Sequence, residues 1–85
     1  MIETLLVLST AHVTQETCNG WLQTAPFATF GKAEYGWFVY VPDDEPSDLP
    51  EDLRPCFALA RSLDCDWVMF DRDAELIEGL PTYRW

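Results

Sequence analysis

The sequence predicts a two-layer α+β sandwich of order β-α-β-α-β-β, a three- or four-stranded sheet with two helices on one face. Three observations lead there. Short runs of β-branched and aromatic residues alternate with two segments of helical spacing. Both helical segments begin at residues suited to capping. The 85 residues contain no repeat and no linker long enough to divide them, so residues 1–85 read as one small domain. A chain of this size buries only about 60–65% of its unfolded surface, so two layers are as many as it can build.

Ile2 to Leu8 is an apolar run of strand formers and reads as a buried strand. Ser9 to His12 turn the chain. Thr14 is suited to cap a helix over Gln15 to Gln23, with Val13 and Cys18 placed as a hydrophobic staple. Gly20 weakens that helix by about 1 kcal/mol. Cys18, Trp21 and Leu22 form its inward side, and Ala25-Pro26 ends it.

Phe27 to Phe30 reads as a short extended piece, followed by a turn at Gly31-Lys32. Tyr35 to Val41 is the clearest strand, closed by Pro42. Trp37, Val39 and Val41 point to one of its faces, and Phe38 and Tyr40 to the other. Residues 42–50, with three prolines and four acids, form a loop.

Asp52 can cap the second helix, which leaves Pro55 in its first turn, where the missing N–H removes no intrahelical bond. Asp48 and Glu51 stand at capping-box spacing, but a start there puts Pro55 in the interior. The later start is preferred, with room for a turn before it. Leu53, Cys56, Phe57, Ala60 and Leu63 recur at helical spacing and face the core. Asp64 ends the helix. Cys65 to Phe70 reads as a strand, Asp71 to Glu75 as a polar loop, Gly79-Leu80-Pro81 as a turn, and Thr82 to Trp85 as a short final strand. Helices on one side cover one face of such a sheet, so the other apolar face needs loops, the C-terminal segment, a second copy or a partner.

Fifteen Asp and Glu against five Lys and Arg give a formal charge of −10, which disfavours direct binding to nucleic acid or an anionic membrane. Between Asp43 and Glu78 there are twelve acids and three bases. They fall in two stretches, one from Asp43 to Asp52 and the other from Asp64 to Glu78. Such acids keep an aromatic-rich domain soluble, and they can also dock on a basic surface by imitating phosphates. The docking reading requires the two stretches to converge into one electronegative plateau. No apolar run is long enough to span a bilayer, and no basic segment precedes the first apolar stretch as in a signal peptide. Three unevenly spaced cysteines, Cys18, Cys56 and Cys65, read as reduced thiols and point to the cytoplasm.

Other chemistry is weakly marked. Asp64/Asp66 and Asp71/Asp73 suit a hard cation, yet the calcium-loop pattern is absent. His12 with the three cysteines totals a zinc-like set without zinc spacing. A pairing of His12 with Cys18 is sterically open but not required by their separation. No catalytic residue, metal or cofactor is assigned.

Several segments together carry a family resemblance: Leu5 to His12, Tyr35 to Pro42, Leu49 to Arg54, Ala58 to Arg61, Cys65 to Val68, Phe70 to Asp73 and Gly79 to Pro81. The chain resembles a family of small acidic domains of unknown function carried by plasmids, integrative elements and prophages of proteobacteria. The resemblance spans nearly the whole chain and brings no catalytic residues. It implies a mobile-element setting, where small acidic proteins often inhibit host defence as anti-CRISPR or anti-restriction factors.

The expected function is therefore non-enzymatic protein binding. The partner would be a basic surface, for instance on a nucleic-acid-binding defence complex. Asp43, Asp44, Glu45, Asp48, Asp71, Asp73 and Glu75 are the candidate charge contacts, assisted by the aromatic sheet face. The alternatives are a homo-oligomeric accessory protein paired through that face, and a small metal- or Cys/His-dependent enzyme.

Overall fold

Four strands form one mixed sheet in the order β1-β4-β3-β2, where β1 is Leu5–Ser9, β2 Thr29–Gly31, β3 Gly36–Tyr40 and β4 Trp67–Asp71. These coordinates come from a computed structural model, which describes residues 2–31 and 36–84. β1 runs parallel to β4, Leu5 opposite Trp67 and Ser9 opposite Asp71. β4 is antiparallel to β3, and β3 to β2. Two helices, α1 (Gln15–Asn19) and α2 (Leu53–Ser62), accompany the sheet, giving the small α+β architecture that the sequence predicts.

The expected helix over 15–23 is divided. Thr14 caps α1 as anticipated, its hydroxyl accepting the Thr17 N–H at 3.3 Å. The α-helix stops at Gly20, and Trp21–Thr24 continue as a tighter 3-10 turn. Glycine holds helical backbone poorly, and here it lets the chain bend while Leu22 is still delivered fully buried into the core.

The fourth strand is not the expected C-terminal one. Thr29–Gly31 supplies it on the far edge, with Phe30 opposite Phe38. Residues 82–84 form no strand, because another element holds that segment: Tyr83 N–H donates to the Ala11 carbonyl at 2.8 Å. The expected turn residue Lys32, the strand start at Tyr35 and the terminal Trp85 lie outside the described residues. Gly36 opens β3 at φ 152°, and a Cβ there would sit 1.7 Å from the Phe70 carbonyl oxygen. Only glycine lets β3 approach β4 this closely.

α2 begins where Pro55 requires, with Asp52 at its N-cap position and turns at Leu53 and Arg54 before it settles. It ends in a Schellman motif: Cys65 N–H donates to the Ala60 carbonyl at 2.8 Å, and Asp64 N–H to Arg61 at 3.1 Å. Asp64 occupies the left-handed position, φ 55°. Leu63, expected in the core, is 55% exposed: it is the C-cap, one residue past the end of α2, with φ −100° and ψ 7°, where the chain leaves the helical path.

Leu8, Val39, Val68 and Phe70 from the sheet meet Val13, Cys18, Leu22, Leu53, Cys56, Phe57 and Ala60 in one core. Both helices contribute to this side. The opposite face of the sheet carries Leu5 and Val7 from β1, Trp67 and Met69 from β4, Phe38 and Tyr40 from β3, and Phe30 from β2.

Candidate interaction surface

That second sheet face is the candidate site. Alternation along each strand puts Leu5, Trp67 and Tyr40 in one row across the sheet, and Val7, Met69, Phe38 and Phe30 in the next. Among the described residues, no helix covers either row. Leu5 and Val7 are each 42% exposed and Phe30 is 58% exposed. The rings support one another: Tyr40 meets Trp67 edge-on with centroids 5.4 Å apart, and Phe30 lies 6.0 Å from Trp67. Trp67 is further fixed by its Nε1–H, which donates to the Glu3 carboxylate. The result is an ordered apolar surface centred on one tryptophan.

Carboxylates stand at its two ends. Because β3 and β4 are antiparallel, Asp43 and Asp44 leave the sheet at the end where β4 begins, and Asp71, Asp73 and Glu75 lie where β4 finishes. A five-residue strand separates these ends by about 15 Å. Asp43 joins Asp64 and Asp66 around an open pocket of about 360 Å³ that also includes Arg61 and Cys65. Members of the two acidic stretches therefore meet here. Asp71, Asp73 and Glu75 are at the other end, so the two stretches do not converge into the single plateau that the sequence suggests. Instead, Asp43 and Asp44 at one end and Asp71, Asp73 and Glu75 at the other bracket the apolar face, because the antiparallel pairing of β3 and β4 sends the two loops in opposite directions.

The seven candidates differ in how they are engaged. Asp43, Asp44, Asp48, Asp73 and Glu75 are exposed. Glu45 is held internally: Oε1 accepts from Arg61 at 2.6 Å and Oε2 from Arg54 at 2.9 Å. Arg61 also donates to the Pro42 carbonyl at 2.7 Å, so Glu45 anchors its loop to α2. Asp71 accepts the Asp73 N–H at 2.8 Å, shaping the turn after β4. Two further acids are structural. Asp52 is buried, and Asp66 accepts the Thr4 N–H at 3.1 Å. Sequence reasoning did not single out Glu3, whose position on the outer face depends on the register between β1 and β4.

The residues weighed for catalysis have other occupations. His12 is 1% exposed; its Nδ1 meets the Pro81 carbonyl and its Nε2 the Ile77 N–H, each at 2.9 Å. Since Ile77 donates, Nε2 is the acceptor and Nδ1 carries the proton, which makes the ring a clasp for the C-terminal segment. Burial pushes the Cys56 thiol up to about 12, aided by the nearby Asp52 charge. Burial likewise raises Cys18, opposed by a hydrogen bond with Trp37. Both thiols are held in the protonated, weakly nucleophilic form. Among the described residues, no group of three or more His, Cys, Asp or Glu is arranged to hold a metal ion, and no helix is long and apolar enough to cross a membrane.

Residues 5–85 match the model described as the C-terminal domain of a family of unknown function, DUF5983. Neither the curated proteins nor the solved structures give a match.

Proposed function

We propose that this chain, which belongs to the DUF5983 C-terminal-domain family, is a non-enzymatic protein-binding module that engages a basic macromolecular surface. The observation that carries this reading is the uncovered face around Trp67, with carboxylates at both of its ends. Apolar burial at the centre would provide affinity, and the acidic ends would steer a cationic partner and fix its orientation. The net charge of −10 works against nucleic acid and in favour of the proteins that bind it. In the mobile-element setting implied by the resemblance, the partner is a nucleic-acid-binding defence complex of CRISPR or restriction type. Binding would occupy its phosphate-binding surface. The cytoplasm, where such complexes act, is the proposed compartment.

The test is a titration against purified CRISPR effector and restriction complexes, with and without their nucleic acid, at two salt concentrations. The expected result is salt-sensitive binding to the nucleic-acid-free form, weakened by Phe30→Ser and by the pair Asp43→Lys/Asp44→Lys. Glu45 is left intact, because reversing it would also release Arg54 and Arg61. Binding indifferent to both changes would overturn the proposal. Homo-oligomerisation is the second reading, favoured by the exposure of Leu5, Val7 and Phe30. Sedimentation across a concentration series distinguishes it, since a strict monomer leaves the face to a foreign partner.

A further inference from the structure

We infer that the free edge of β1 is a template for strand addition by an extended segment with basic residues at its ends. Among the described residues, β1 is the last strand on its side of the sheet. Trp67 N–H donates to the Thr4 carbonyl at 3.1 Å, and Leu5 stands opposite Trp67. In the alternation of a parallel ladder, the peptide groups of Leu6 and Leu8 then face β4, and those of Leu5 and Val7 face away. No described backbone group is shown bonding to Leu5 or Val7 from that side, and their side chains are the exposed ones. β1 also lacks the devices that usually block an edge. Its sequence, Leu-Leu-Val-Leu-Ser, contains no charge and no proline.

Charge selects the occupant. Glu3 lies at the start of this edge with Asp66 one strand in, and at its finish, also one strand in, the Asp71-Arg72-Asp73 turn carries a net −1. A strand laid along it with lysine or arginine at either end meets opposite charge at both ends, while its alternate side chains extend the face around Trp67. A second copy meets the reverse. Antiparallel pairing of two β1 strands about Val7 puts Glu3 of one copy at the same end as the Asp71-Arg72-Asp73 turn of the other, two strand spacings or about 10 Å away, so net negative charge faces net negative charge at both ends, between molecules that each carry −10. The inference rests on the proposed function only for the partner's charge; the mode of docking stands on the sheet geometry.

Backbone amide hydrogen exchange of the full chain tests it, using the synthetic peptide Lys-Thr-Val-Thr-Val-Thr-Lys and its Glu-ended counterpart. In the free protein, the Leu6 and Leu8 amides exchange slowly and that of Val7 rapidly. The basic peptide is expected to slow Val7 exchange by about tenfold or more, and the acidic one to leave it unchanged. Val7→Pro deletes an outward donor without touching the β4 ladder, so it abolishes peptide binding, whereas Phe30→Ser, on the opposite edge, preserves it. Equal protection by both peptides would overturn the charge assignment. Protection of Val7 that grows with protein concentration alone would put a second copy on the edge instead. Binding lost in Phe30→Ser but kept in Val7→Pro would overturn strand addition and leave the face reading intact. Should Val7→Pro not fold, the exchange measurement on the unmodified chain decides.

Discussion

The Asp52 carboxylate accepts the Thr14 N–H at 2.6 Å across 38 residues of sequence, so the residue at the start of α2 secures the cap of α1. Its other oxygen accepts the Thr17 hydroxyl at 2.9 Å. Asp52 makes no side-chain bond to its own helix. One buried carboxylate thus ties together the two helical starts on the covered face. Replacing it with alanine leaves the Thr14 N–H without that acceptor, and the expected loss is about 2–3 kcal/mol, read from the urea midpoint. Asp52→Asn retains a carbonyl acceptor and loses less. Equal losses would show that hydrogen bonding is not the operative contribution.

Gly36→Ala places a methyl group inside the Phe70 carbonyl. β3 must withdraw from β4 or lose its first pair. The expected destabilisation is more than about 3 kcal/mol, enough to abolish cooperative unfolding in so small a domain. Circular dichroism melts check it.

At Asp64 the left-handed backbone favours glycine. Asp64→Gly is expected to stabilise by about 0.5–1 kcal/mol, and Asp64→Val, whose branched side chain resists positive φ, to destabilise by more than that. Paired denaturation curves test both. A neutral valine variant would remove the Schellman motif from the explanation.

The Cys56 thiol has a folded value pushed up to about 12 from an ordinary 9.0. Between those values the unfolded chain sheds this proton and the folded chain keeps it. The contribution of Cys56 to stability is therefore intact below about pH 9 and is lost progressively as pH rises toward 12. Urea midpoints at pH 8 and pH 10 should show the decline, and Cys56→Ala should flatten it. At pH 8, a thiol reagent should modify the partly buried Cys65 before Cys18 or Cys56.

His12→Ala removes one partner each from the Ile77 N–H and the Pro81 carbonyl. The expected result is faster amide exchange at Ile77 and Tyr83, with the Val68 and Phe70 amides in the sheet still protected. Uniform acceleration across the sheet would mean that the clasp is integral to the fold rather than local to the C-terminal segment.

The strand and helix identities were readable from residue order because they follow local rules. β-branched runs, the Thr14 cap and the position of Pro55 each act within a few residues. So was the prospect of an uncovered apolar face, since alternation in the strand around Phe38 and Tyr40 leaves two apolar sides and the helices occupy one. The long-range choices were not readable. That β4 enters between β1 and β3, that Thr29–Gly31 takes the far edge, and that residues 82–84 answer to His12 and Ala11 rather than to the sheet all depend on contacts between distant segments. The same holds for the acids. Composition counts Asp43, Glu45, Asp52 and Asp73 alike, but packing buries Asp52 under Thr14, gives Glu45 two arginines, and sends Asp43 and Asp73 to opposite ends of the sheet, because charge belongs to the residue whereas its partners and exposure belong to the folded neighbourhood.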